Sequence, residues 1–155
     1  MVSGYFRRAL AAVAVTIGVA GCWEWPNFGD AMDAPPDKVP FYRSRVYRYE
    51  DSLGYGDRYA SQAQHASAFI SYGDAQIAIL EALRYCELSG KKDTARLRRR
   101  LPLVEAKKAE ARARATPEEL KRIEEAEAYD ARRIERIDEV VKDAIKSEKV
   151  KRKRR

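Results

Sequence analysis

Histidine and cysteine are nearly absent from this chain. Its 155 residues include one histidine, His65, and two cysteines, Cys22 and Cys86. Two cysteines do not make a disulfide framework, and no Cys/His spacing matches a zinc, iron–sulfur or haem site. His65 lies in an Ala/Gln/Ser stretch, which reads as a surface or interface position. Gly-rich phosphate loops, nucleophile elbows and paired His–carboxylate motifs are missing too. The chain is therefore expected to be no enzyme and to use no cofactor and no metal. Large branched apolar residues are scarce after residue 40, whereas Ala is common. That predicts a thin, helical core.

Charge is present in quantity and unevenly placed. The net charge is +7, from 31 basic and 24 acidic residues. Residues 142–155 hold eight basic groups against Asp143 and Glu148, which leaves +1 for the rest of the chain. Such a tail, ending in Lys151, Arg152, Lys153, Arg154 and Arg155, attracts anionic lipid, nucleic acid or an acidic protein surface, or else serves as a solubilising terminus.

The N-terminal segment, residues 1–25, has Arg7 and Arg8 ahead of an apolar run of 15 residues, Ala9 to Trp23, whose only polar member is Thr16. As a helix the run reaches about 22 Å, against about 30 Å for a hydrocarbon core. Arg7 and Arg8 at one end and Trp23 and Trp25 at the other suit a membrane interface. The same residues fit a secretory signal. Val19-Ala20-Gly21-Cys22 resembles the lipobox of bacterial lipoproteins, with Val19 where Leu is usual. That resemblance implies acylation at Cys22. Short Arg-flanked anchors also resemble those of accessory subunits in mitochondrial inner-membrane complexes. Retained anchor, lipidated cysteine and cleaved signal or buried helix all stay open. The membrane readings place the body on the outer side.

Residues 26–56 read as an extended linker, because Pro26, Pro35, Pro36 and Pro40 break helices and Gly54 and Gly56 favour turns. Phe41, Tyr42, Arg43, Arg45, Tyr47, Arg48 and Tyr49 form an aromatic–basic strip of the kind found at interfaces. It fits contact with a partner or packing onto the chain's own helices. Nucleic acid is disfavoured by the exported location and by the lack of RNP, KH or zinc-finger patterns.

Residues 57–90 have helical apolar spacing. Gly73-Asp74 is either a turn or a tolerated interruption, and Gly90 is a stop signal. Residues 91–147 read as a charged helical hairpin or a bent rod. Residues 91–115 carry +7, with Pro102 expected to kink or restart the helix, and residues 117–139 carry −4. Thr116, Pro117 and Glu119 form a capping-box start for a helix expected to run to about Ser147. Glu127 and Asp130 interrupt its heptads, so coiled-coil character is partial. Residues 148–155 are the basic tail.

The chain is thus expected to be mostly α, with a membrane-directing helix, an extended linker and elongated helices. It is expected to act as a structural or accessory subunit of a larger membrane protein assembly, single-pass in the mitochondrial inner membrane or bacterial envelope, or as a lipid-anchored lipoprotein adaptor. Membrane lipid and a larger protein assembly are its expected partners.

Overall fold

The computed structural model describes residues 40–90 and 94–153. The first element, α1, is a helix over Phe41–Ser61. The expected extended linker is therefore corrected over its second half. Pro40 is the last proline before Pro102, and it precedes the helix, where its missing N–H costs nothing. Val46, Tyr49 and Gly56 lie buried along α1 at helical spacing. Gly54 and Gly56, read as turn formers, are both helical. Gly54 faces open space, whereas a Cβ on Gly56 would overlap the Tyr72 ring.

The chain reverses at Gln62–Gln64. Ala63 donates its N–H to the Ala60 carbonyl, and Gln64 donates to the Tyr59 carbonyl. This Schellman pattern needs a left-handed residue at its centre, usually glycine. Ala63 fills that place with φ 56°.

Helix α2, His65–Ser89, is the axis of the fold. Thirteen of its 25 residues are buried, too many for one stripe, as expected of a helix covered from several sides. It runs unbroken through Gly73-Asp74 and ends at Gly90, φ 70°, whose N–H reaches the Cys86 carbonyl. Gly73 is a point of close approach: a Cβ there would collide with the Asp130 carboxylate.

Helix α3, Ala95–Arg114, contains Pro102 and continues through it. Proline leaves the Arg98 carbonyl without its usual helical donor. Leu97, Val104 and Ala111, seven residues apart, are the buried stripe that holds α3 onto α2. Helix α4, Pro117–Glu135, starts with the Thr116–Glu119 capping box. The single helix expected from Pro117 to Ser147 is corrected: it breaks at Arg136, φ −92° and ψ 0°, and resumes as α5, Ile137–Lys153.

Side-chain pairs give the directions. Arg45–Glu81 and Arg48–Asp74 set α1 antiparallel to α2, and Arg98–Glu87 and Lys108–Gln76 do the same for α3. Glu119–Ala66 and Arg133–Asp74 set α4 parallel to it, whereas Asp138 and Glu148, ten residues apart on α5, meet the adjacent residues Arg84 and Tyr85 of α2. The fold is an all-α bundle of five helices, with no strand among the described residues.

Of the two forms expected for residues 91–147, the bent rod is corrected: α3 and α4 run antiparallel to each other, joined at Ala115–Thr116. Helices α3 and α4 both pack on α2, and long side chains bridge between them at Lys108–Asp130 and Arg112–Glu127. Coiled-coil character is corrected with it. Asp130, one of the residues that interrupt the heptads, is buried against Gly73 and paired with Lys108, 2.7 Å away.

Among the described residues no helix is long and apolar enough to cross a membrane. The single-pass topology and the locations built on it are not supported. The segment on which they rested, residues 1–25, lies outside the described residues.

The glycines separate local from tertiary effects. A helical Gly→Ala change in open space gains about 0.5–1 kcal/mol. Gly54→Ala is expected to gain that much. Gly56→Ala and Gly73→Ala are expected to lose about 1–3 kcal/mol through overpacking. Ala63→Gly is expected to gain about 1 kcal/mol by relieving the left-handed backbone. Urea titration of the four variants gives sign and size together.

Candidate functional site

Helix α5 is fastened on one side and open on the other. Ile137 and Val141 form a small second core with Tyr85, against which Phe41, Tyr42, Leu80 and Ile145 pack. Glu148, seven residues after Val141, falls on the same side of the helix. Its Oε2 accepts from the Tyr85 hydroxyl at 2.6 Å, and its Oε1 accepts from the Phe41 N–H at 2.8 Å. Pro40 supplies no side-chain cap for α1. A distant carboxylate thus satisfies a first-turn amide and meets the positive end of the helix dipole. Burial first, and the Glu148 hydrogen bond second, push the Tyr85 phenol up to about 12, so it remains a donor. Near the start of α5, Arg84 grips Asp138 through two nitrogens, at 2.6 and 2.9 Å.

The opposite side is basic. Lys142, Lys146, Lys149 and Lys153 are exposed. At 3.6 residues per turn they fall within an arc of about 60°. With Ile145 and Val150 they line an open groove of about 270 Å³. Lys142 reaches Asp138 at 3.7 Å. Lys146, Lys149 and Lys153 have no ion-pair partner among the described residues. Neighbouring lysines on such a face are about 5–6 Å apart, inside the Debye length of about 8 Å at physiological salt. They therefore act as one field of positive charge with an aliphatic floor.

The other polar clusters tie helices together. The Tyr72 hydroxyl donates to Asp57 at 2.8 Å, and Lys107 approaches the same oxygen at 2.5 Å. Burial, then Asp57, holds the Tyr72 phenol well above its ordinary range, so it is a donor and not a base. Arg133 and Arg48 share Asp74, at 2.5 and 3.3 Å. Arg45 and Glu81 pair at 2.5 Å across α1 and α2. No group of three or more metal-ligating side chains occurs among the described residues.

Several of the residues expected to contact a partner turn inward. Tyr49 is 3% exposed. Phe41 and Tyr42 lie against Tyr85, with ring centroids 5.6 and 6.4 Å apart. Arg45 and Arg48 are held by Glu81 and Asp74. Arg43 is exposed and Tyr47 half-buried. Lys151, Arg152 and Lys153 are exposed in the last turn of α5. Arg154 and Arg155 lie outside the described residues, as do Arg7, Arg8, Cys22, Trp23 and Trp25. Within the strip, Phe41, Tyr42, Arg45 and Tyr49 thus serve the chain's own core and ion pairs, while Arg43 and Arg48 keep exposed surface. Sequence reasoning passed over Lys142, Lys146 and Lys149 as site residues. Their spacing, four, three and four residues up to Lys153, was the available signal.

No family model, curated protein or solved structure matches the chain. The expected accessory subunit of a membrane complex and the lipoprotein adaptor therefore have no relative behind them, and no described helix could span a bilayer. Neither role stands, nor do their partners: membrane lipid, a larger assembly, and anionic lipid or an acidic protein surface at the tail. The ion pairs of the described helices are internal.

A second carboxylate works as Glu148 does. Glu119 accepts from the Thr116 N–H and from the Ala66 N–H, both at 3.0 Å, so it serves the first turns of α4 and α2 together. The backbone hydrogen bond from Thr116, then that from Ala66, holds its carboxyl below the usual range. A depressed folded-state pKa stabilises above the unfolded value, about 4.3, and that contribution is lost as pH falls through the folded one. Glu119→Gln is therefore expected to be less stable than wild type at neutral pH, with the gap closing as pH drops below about 4. Thermal melts of both proteins between neutral and acidic pH check this.

Proposed function

We propose that the chain is a non-enzymatic binding protein whose last helix presents a lysine face to a phosphate-rich polyanion. The observation that carries this reading is the division of α5. Its inward side places Glu148 against Tyr85 and Phe41, and its outward side carries Lys142, Lys146, Lys149 and Lys153. Like charges at i, i+4 on a helix repel, at about 0.2–0.5 kcal/mol per pair. A row of them costs stability unless an anion offsets the repulsion. Phosphate groups suit ammonium ions, which act as compact charges with rotatable donors.

The non-enzymatic part is supported by the single histidine and the missing nucleophile motifs, and by polar clusters that serve as helix ties and caps. Tyr72, Tyr85 and Glu119, whose ionisation is shifted, all hold structural hydrogen bonds.

The test uses the full chain, with labelled long-chain polyphosphate and a labelled DNA as probes. At about 0.1 M salt, the double variant Lys146→Glu with Lys149→Glu is expected to bind about tenfold more weakly or worse than wild type. Circular dichroism should be unchanged, because both side chains are exposed. Equal binding by the folded variant and wild type would overturn the reading.

A further inference from the structure

We infer that the polyanion is the sugar–phosphate backbone of double-stranded DNA, bound without sequence preference; this rests on the polyanion reading above. Three features of the described helices point the same way.

The first is what the basic face lacks. Proteins that hold single strands alternate positive charge with exposed aromatic rings, on which the bases stack. The floor between the α5 lysines is Ile145 and Val150. The aromatic residues of α1 that sequence reasoning set beside arginines are spent inside: Tyr49 is buried, and Phe41 and Tyr42 pack on Tyr85. The exposed aromatics Tyr55 and Tyr129 belong to α1 and α4. A single strand would find charge on α5 but nothing to stack on.

The second is rigidity and reach. From Lys142 to Lys153 the helix rises about 16 Å. Each strand of duplex DNA carries one charge per about 3.4 Å of its axis, so that rise faces roughly five phosphates of one strand. A straight row of cations meets a stiff, dense row of anions without ordering it first. A flexible single strand has to be ordered to match the row, at a cost in entropy. The helix is about 10–12 Å across with its side chains, and the B-form major groove is about 12 Å wide.

The third is the kind of charge. Base reading in the major groove relies on paired donors in a fixed fork, as arginine provides. The four groove cations are lysines, compact charges that suit phosphate contacts and lack the fixed fork by which arginine reads bases most selectively.

Fluorescence anisotropy on the full chain tests the inference with three labelled probes: a 20-base-pair duplex, one of its strands, and polyphosphate. At about 0.1 M salt the duplex is expected to bind about tenfold more tightly than the strand. A shuffled duplex should bind within about twofold of the first. The logarithm of the duplex affinity should fall with the logarithm of salt at a slope of about −3.6, for four contacts at about 0.9 each. Lys146→Ala with Lys149→Ala should reduce that slope by about 1.8.

A strand bound as tightly as the duplex, with the lysine variants still weakened, overturns the duplex inference and leaves the polyanion reading in place. Strong preference for one duplex sequence overturns it as well. No binding of any probe, or binding that ignores the lysine substitutions, overturns both.

Discussion

Every other described helix is held through α2, and that sets the terms for the rest of the molecule. A helix buried over most of its circumference can turn only a narrow side to water. It must be covered by helices that each bring only one stripe. Ala66, Ala68, Ala75, Ala78 and Ala82 keep α2 slender, so surrounding helices come close with few large side chains. The same economy places glycine at the tightest contacts. Gly56 admits the Tyr72 ring, and Gly73 admits the Asp130 carboxylate. Buried polarity follows from that closeness. Asp130 and Glu81 are 7% exposed, and each meets a cation from a different helix, Lys108 and Arg45. Removing one member of such a pair strands a buried charge, which typically costs about 3–5 kcal/mol. These pairs therefore fix which helix lies where more than they add to stability.

Helix ends are handled at long range. Neither Pro40 nor Gln64 supplies a side-chain cap for the helix that follows it. Glu148 and Glu119 reach in from α5 and α4 and accept from the Phe41 and Ala66 amides. Each carboxylate couples formation of one helix to docking of another. Starting α1 correctly and seating α5 are one event, since Glu148 serves both.

Features with a local cause were legible in the sequence. The Thr116–Glu119 capping box spans four residues and needs nothing beyond them. Gly90 is a stop because glycine alone takes a left-handed backbone without strain. Features with a distant cause were not legible. Gly56 is a turn former in isolation and a packing position once Tyr72, sixteen residues on, is placed against it. The reversal at Ala63 carries no glycine, and the break at Arg136 carries neither glycine nor proline, so the usual punctuation is missing at both. The aromatic–basic strip from Phe41 to Tyr49 has the composition of an interface. It is the interface between α1 and α2, within one chain. The basic terminus was visible as a sum of charges, but its division into faces was not.

That division is what turns a charge excess into a surface. A basic composition alone attracts anions diffusely and is screened by salt over about 8 Å. In α5 two acidic residues are drawn toward other helices, Glu148 to Tyr85 and Phe41, and Asp138 to Arg84 as well as to Lys142 on its own helix, while Glu139 and Asp143 stay exposed. Elsewhere several basic residues of α1 and α3 are matched by carboxylates of α2 and α4, as in Arg48–Asp74 and Arg112–Glu127. Ion pairs thus tie the helices to one another, and one side of α5 is left with a row of lysines of which three have no ion pair among the described residues. Drawing Glu148 inward strips one acid from beside Lys149 without adding a lysine. The docking that stabilises α5 is therefore the same structural fact that makes its outer face positive.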